Sequence, residues 1–177
     1  MALGNQFKTG ELGGSAFSAT YTTEQYPLGT IFVQQADEVA AATHTDGTTS
    51  LGLKGDRTWM FVQAGVAVAA YDACVINAIA TPLVVKPTDA SGSANYLFVG
   101  IAQGAIALNS YGWIVVRGEC VVKGAAGITA GLLLDTHGGT LAGQLDDDTT
   151  VAQLVGRALT ATGTPVAATV AARVPLL

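Results

Sequence analysis

The chain has 177 residues, of which 50% are hydrophobic and 12% are charged, and its formal net charge is −5. A chain of this length can bury about 70% of the surface that its unfolded form exposes, so it can fold without a metal or a disulfide. The eight Lys and Arg residues are scattered singly, which excludes the basic stripe that phosphate binding requires, and we expect no direct nucleic-acid partner. The longest uncharged stretch, residues 90–116, is interrupted by Gly, Ser and Asn too often for a membrane span, so we expect no membrane partner either.

Residues 1–26 show neither a helical nor a strand period, and their Gly, Ser and Thr content predicts an extended N-terminal arm. The arm nevertheless contains Phe7, Phe17, Tyr21 and Tyr26, whereas a freely disordered tail is usually poor in aromatic residues. We therefore predict that the arm docks, either on its own domain or on a neighbouring subunit. The four aromatic side chains are the candidate contacts.

Residues 27–177 are predicted to form a β domain, because short runs rich in β-branched and aromatic residues alternate with Gly, Asp, Thr and Pro clusters. The runs in chain order are 28–34, 58–71, 82–86, 96–103, 112–124, 131–136, 152–159 and 169–176, and a hairpin is expected over 43–50. This spacing is typical of an all-β sandwich or barrel. The alanine content of residues 66–80 allows a short helix there as the competing prediction.

Two segments of the chain resemble each other. The apolar pattern that begins at Trp59 recurs from Trp113, and similar Val-Gly strands follow at Val99 and Val155. This order predicts an internal repeat of two β units, over about 58–104 and 112–160, whose apolar sides cover each other. On this alignment the two tryptophans are predicted to have equivalent packing roles, each at the end of one unit. The alternative is convergent strand composition, since Val, Gly and Ala are common in this chain.

The sequence contains no recognisable catalytic constellation, with neither a Gly-x-Ser-x-Gly elbow nor a phosphate-binding loop. His44 and His137 each lie within two residues of an Asp, but no further ligand follows at a recognisable spacing, which favours polar turn residues. The Asp146–Asp148 run could bind a divalent cation, yet consecutive strand residues point to opposite faces, which favours a solvated turn. We predict no enzyme activity, no cofactor and no metal site.

The composition also bears on how the protein acts. Cys74 and Cys120 are far apart and belong to no Cys-x-x-Cys pair, so we predict two small buried thiols rather than a disulfide. A chain with so few charges is predicted to have a neutral surface that a partner covers, because a solvated monomer usually carries more charge. The sequence therefore favours a protein that acts through contact area.

The segment from Trp113 onward carries a more specific pattern. It contains a Val-x-Gly-x-x-x-Val strand, an Ala-x-x-Ile-x-Ala-Gly segment, a loop and a Val-Gly-Arg-Ala-Leu strand, followed by a Val-rich strand. The matching residues are Gly118, Val122, Ala125, Ile128, Ala130, Gly131, Val155, Gly156, Arg157, Ala158 and Leu159. The pattern covers about a third of the chain and resembles that of the head decoration (cement) proteins of tailed bacteriophages.

This resemblance implies a β protein that is made in the host cytoplasm and binds the outer surface of the capsid in the virion. Its partners would be the major capsid protein and itself, as a homotrimer at threefold and quasi-threefold positions that stabilises the shell. The N-terminal arm would carry a capsid contact, and Arg157 is a further candidate for a contact across a subunit interface. The alternatives are a head-fibre or carbohydrate-binding β-sandwich module, in which Trp59 or Trp113 stacks on sugars, and an enzyme of unfamiliar type.

Overall fold

The computed structural model describes residues 16–35, 43–45, 50–52, 56–88, 97–136, 142–147, 153–161 and 168–174. Within them the fold is all-β, as predicted, and a 3₁₀ turn at Ala16–Ser18 is the one helical element. The strands are β1 (Ile31–Gln34), β2 (Thr43–Thr45), β3 (Ser50–Gly52), β4 (Arg57–Ala64), β5 (Ala73–Ala78), β6 (Thr81–Pro87), β7 (Phe98–Ala102), β8 (Tyr111–Gly124), β9 (Leu133–Asp135), β10 (Leu154–Ala158) and β11 (Ala168–Val174). None of the described helical segments has the length and apolar character needed to cross a membrane.

The strand runs expected from the sequence match these elements closely, and β2 and β3 form the expected hairpin. The competing helix over residues 66–80 is wrong, because β5 occupies much of that stretch. Cys74, Val75 and Ile76 are consecutive buried residues. A strand between two covered faces buries consecutive side chains, and its sequence then lacks the alternation that would have identified it.

Five strands close into a first barrel-like ring, which we call ring 1. Strand β4 pairs in parallel with β6, β6 with β5, β5 with β7, β7 with the first half of β8, and β8 returns to β4. The interior of ring 1 is filled by small and medium apolar side chains that form one buried cluster. Its members are Val62, Ala64, Val68, Cys74, Ile76, Val85, Val99, Ala102, Ile106 and Ile114. Closure leaves these five strands without a free edge in the paired stretches.

The second half of β8 begins another ring, which we call ring 2. It pairs with β11, β11 with β10, and β10 with β9. Isolated bridges close the ring, since Asp135 pairs with Asp146 and Gly124 pairs in parallel with Leu145. The interior again consists of buried apolar side chains, namely Val122, Ile128, Leu134, Leu145, Val155, Ala158 and Ala172. Two β units of similar construction therefore make up the described part of the β domain.

The pairing registers of the two rings correspond position by position. In ring 1 Cys74 lies opposite Gly100, and in ring 2 Leu134 lies opposite Gly156. Both pairings contain an irregularity at the same point of the ladder. This correspondence places Val99 and Val155 at matching positions of the two rings.

A turn with unusual backbone geometry also recurs. Tyr71 and Gly131 both have a left-handed backbone, with φ of 69° and 89°. The amide of Tyr71 donates to the carbonyl of Ala102, and the amide of Gly131 donates to the carbonyl of Ala158, at 2.8 and 2.9 Å. The glycine of the Ala-x-x-Ile-x-Ala-Gly segment is therefore explained by the fold, because this turn requires a positive φ.

The two tryptophans, in contrast, do not take equivalent places. Trp113 lies opposite Phe61 on neighbouring strands of ring 1, and Trp59 lies on the same strand as Phe61. All three are buried in one cluster. The prediction that each tryptophan ends its own unit is wrong, because a shared apolar pattern around Trp does not fix the strand register.

Strand β8 passes from one ring to the other at Gly118. Arg117 still pairs with Thr58 in ring 1, whereas Gly118 already pairs with Val174 in ring 2. Gly118 has a φ of 109°, and the β4–β8 ladder shifts register beside it. The glycine of the Val-x-Gly-x-x-x-Val strand is thus the position where a bulge lets one strand serve two rings.

Candidate interaction surfaces

The N-terminal segment docks on the outside of ring 1. The ring of Phe17 stacks on Trp59 with centroids 4.5 Å apart and an interplanar angle of 15°. Tyr21 forms a bridge with Tyr111, in which each amide donates to the carbonyl of the other residue at 2.8 Å. Phe17 is only 7% exposed, and Tyr21 is half-buried. The described part of the arm therefore packs on its own domain, and Phe7 lies outside the described residues.

Further aromatic residues extend this docking site. Tyr26 packs edge-on against Phe61, with ring centroids 5.3 Å apart. Phe32 on β1 packs edge-on against Trp113, and the indole nitrogen of Trp59 donates to Gln34 Oε1 at 3.1 Å. Both tryptophans are consequently buried. Neither can stack on a sugar while the segment is in place, which removes the role that the carbohydrate-binding alternative gave them.

Polar contacts join the two rings. Lys123 Nζ lies 2.5 Å from the buried carboxylate of Asp72, whose other oxygen accepts a hydrogen bond from the Ala69 amide at 2.7 Å. The side-chain amide of Gln103 donates to the carbonyl of Val121 and accepts from its amide, at 2.8 and 3.2 Å. These contacts satisfy buried polar groups at the junction, so they favour a fixed arrangement of ring 1 and ring 2.

Arg57 is a buried cation that no sequence motif identified. Its Nε donates to the carbonyl of Glu119 at 2.7 Å, while its Nη2 is buried without a hydrogen-bond partner. Burial lowers the pKa of the guanidinium, and the neighbouring Cys120 and Glu119 oppose that shift. A single Arg at the start of a β-rich run looks like any surface residue in the sequence, so its role became visible only with the packing.

The two thiols are expected to be unreactive in the folded protein. Burial raises the pKa of Cys120 to about 12, against the lowering effect of Arg57, and burial also raises the pKa of Cys74. Because the thiolate is the nucleophile, Ellman's reagent at pH 8 should leave the native protein unmodified and modify both thiols in urea. Rapid labelling without denaturant would contradict this.

The same shift has a consequence for stability. Unfolded thiols ionise at about pH 8.5, whereas folded Cys120 keeps its proton to about pH 12. The folded state therefore binds more protons between these values, and the free energy of unfolding should fall as the pH rises through this window. Below pH 8 the contribution is fully present and constant.

The acidic and histidine candidates do not assemble a reactive site. Asp147 Oδ2 accepts a hydrogen bond from the Thr129 amide at 2.8 Å, and Asp146 Oδ1 accepts one from the amide of Asp147 at 2.8 Å. These carboxylates thus stabilise local backbone. His44 lies on β2 opposite Leu51, and His137 lies outside the described residues. The part of the chain that the structure describes contains no group of three or more potential metal ligands.

Large apolar side chains are exposed at several places on the surface. They lie at edge and outer-face positions of strands and in turns. In the described ranges they include Ile31, Val33, Val66, Ile79, Leu97, Leu108, Leu132, Leu133 and Leu154. Arg157 is exposed on β10, directly opposite Leu133 in the ladder. Of the predicted contact residues, Arg157 is therefore accessible, whereas Phe17 is buried.

No family model matches the chain, and no curated protein matches it. One similar solved structure is the head fibre gp8.5 N base of bacteriophage phi29, with a TM-score of 0.47 and 14% sequence identity. The similarity covers 67% of this chain and 94% of that chain. Two chains at this level of similarity need not share a fold or a function.

Proposed function

We propose that the chain is a non-enzymatic structural protein of a phage head, which binds the outer surface of the shell as a homotrimer and stabilises it. The observation that carries this proposal is the exposure of large apolar side chains on a low-charge β scaffold whose described part holds no reactive cluster. Such surfaces usually mark protein contacts. The resemblance of residues 113–176 to decoration proteins supplies the kind of partner, the major capsid protein.

The structural roles of the matching residues support this resemblance. Gly118 and Gly131 occupy left-handed positions that the fold requires. Ile128, Val155 and Ala158 are buried inside ring 2. The shared pattern therefore corresponds to one complete β unit and not to a scattered set of surface residues.

The proposal is tested with heads that lack this protein, from a phage that encodes it. Recombinant protein is expected to sediment with these heads, to saturate, and to raise the temperature at which they release DNA, because many modest contacts act together. Light scattering should show a trimer in solution or after release from heads. The proposal fails if saturating protein neither sediments with heads nor changes their heat resistance.

Deletion of residues 1–15 tests whether this part of the arm binds the shell without contributing to the stability of the β domain. The variant keeps Phe17 and the Tyr21 bridge, so ring 1 should keep its stability. If the arm carries a shell contact through residues such as Phe7, head binding should weaken at least about tenfold, the loss of one modest contact. Deleting residues 1–20 is a poorer test than the sequence suggested, because it also removes Phe17 from the core.

A head-fibre protein is the second candidate. It would use the same exposed surfaces but occupy few sites on a head, whereas a cement protein covers the whole lattice. Copy number per head separates the two, and occupancy restricted to few sites would favour the fibre. The carbohydrate-binding form of this alternative would need a site other than Trp59 or Trp113, both of which are buried.

A further inference from the structure

Matching positions on the outer faces of the two rings differ in burial. Ala73 on β5 and Phe98 on β7 belong to the outer face of ring 1, and both are buried in a cluster that also contains side chains of ring 2. The pairing registers place Leu133 and Leu154 at the matching positions of ring 2. These leucines are 52% and 48% exposed. Ring 2 therefore leaves open a face that is covered in ring 1.

The cover on ring 1 is ring 2 itself. The amide of Ala73 donates to the carbonyl of Gly143 at 2.9 Å. The amide of Phe98 donates to Oε1 of Gln153, the residue just before β10, at 2.6 Å. Within the chain, the outer face of ring 1 is thus covered by a second ring of the same fold. The described residues form only two rings, so a ring that covers the outer face of ring 2 would have to come from a second copy of the chain.

Ring 1 carries a side chain suited to this contact. Leu97 precedes β7 as Gln153 precedes β10, so the two residues occupy matching positions. Gln153 meets a backbone amide, which requires a polar side chain. Leu97 is 64% exposed, and an apolar side chain is complementary to the two leucines of the open face.

Charge complementarity favours the same partner. Arg157 stands where ring 1 has the buried Ile101, and it is exposed on the same face of ring 2 as Leu133. A second copy carries a net charge of −5, so the exposed guanidinium favours its approach.

We propose that copies of this chain associate head to tail, with the outer face of ring 2 (Leu133, Leu154 and Arg157) against Leu97 on ring 1 of the next copy. A contact between two different surfaces closes into a ring when the rotation per subunit divides a full turn, and otherwise continues as a filament. Closure after three copies would form the homotrimer. The inference rests on the self-association part of the proposed function and is independent of shell binding.

Sedimentation at several concentrations tests the contact. The wild-type protein should form an oligomer that stops growing, and the double variant Leu133→Ser, Leu154→Ser should raise the dissociation constant by roughly 100-fold. Leu108→Ser is the matched control, since Leu108 is 56% exposed in a turn outside this face, and it should leave the oligomer unchanged. A wild-type monomer at all concentrations, or equal effects of the two changes, would overturn the contact.

Mixed cysteine variants test its polarity. Copies with Leu97→Cys are mixed with copies carrying Leu154→Cys under mild oxidation, and the native thiols are buried. A disulfide between the two kinds of copy is expected, with little coupling when either kind is oxidised alone. Preferential coupling of Leu154→Cys copies with each other would indicate a symmetric contact and overturn the head-to-tail arrangement. Head binding by the wild-type protein is measured separately, so a failed shell interaction leaves this result distinct.

Discussion

Replacing Gly118 with alanine is expected to lower the free energy of unfolding by at least about 3 kcal/mol, because two costs combine at this residue. A φ of 109° lies outside the region that alanine readily adopts. In addition, a Cβ at this position would lie 2.5 Å from the backbone carbonyl oxygen of Asp56. Backbone cannot rotate away as a flexible side chain can, so the start of β4 or the bulge in β8 must move. Urea unfolding followed by circular dichroism measures the loss.

Gly131→Ala is the matched control for this prediction. Gly131 also has a positive φ, of 89°, but a Cβ there would have no heavy atom within 4 Å. Its substitution should therefore cost only the backbone term, about 1–2 kcal/mol. If the two variants unfold at the same urea concentration, the close approach of β8 to Asp56 is not important for stability. An insoluble Gly118→Ala beside a soluble Gly131→Ala agrees with the expected direction.

Phe17→Ala is expected to cost about 3–4 kcal/mol, the range for removing a buried phenylalanine from an aromatic core. The side chain stacks on Trp59 and also packs edge-on against Trp113, with ring centroids 5.7 Å apart. Without it the arm loses its main apolar contact, and water reaches an indole that is buried in the wild type. Tryptophan emission should therefore shift to longer wavelength before the main unfolding transition.

The control for this change lies in the same segment of the chain. Val33 is exposed on β1, so Val33→Ala should change stability by no more than about 0.5 kcal/mol and leave the fluorescence unaltered. The docking of the arm is refuted if Phe17→Ala behaves like Val33→Ala in both measurements. A large loss of stability without a fluorescence change would instead place the effect away from the tryptophans.

The all-β fold was predictable from the sequence because its signals are local. Alternation and β-branched residues mark most strands, and Asp46-Gly47 marks a hairpin turn. The strand β5 was harder to identify, since its consecutive buried residues show no alternation and alanines flank them. The Val-Gly sequences of β7 and β10 lie at matching points of their ladders, and in β7 a Cβ on Gly100 would lie 2.6 Å from the carbonyl oxygen of Val115.

The contact surfaces were less predictable, because they depend on which strand neighbours which. Phe17 and Leu133 are both apolar residues in segments without a distinctive sequence motif. Phe17 is nevertheless buried against Trp59, whereas Leu133 is half-exposed. The difference arises from ring closure and from the arm, neither of which has a local signal. The same reason explains the mistaken match of Trp59 with Trp113, since strand register is a long-range property.

Strand β8 has a consequence for how such a protein can be divided or extended. Its first half completes one barrel and its second half starts the next, so a single strand is counted in both. A chain cut early in β8 would leave ring 1 without one of its strands, and a cut late in β8 would leave ring 2 without one. We therefore expect such a cut to destabilise the unit that loses its part of the strand. Conversely, ring 2 adds only three strands, β9, β10 and β11, to those of ring 1, so a further unit that shared a strand in the same way would lengthen the molecule without a separate domain.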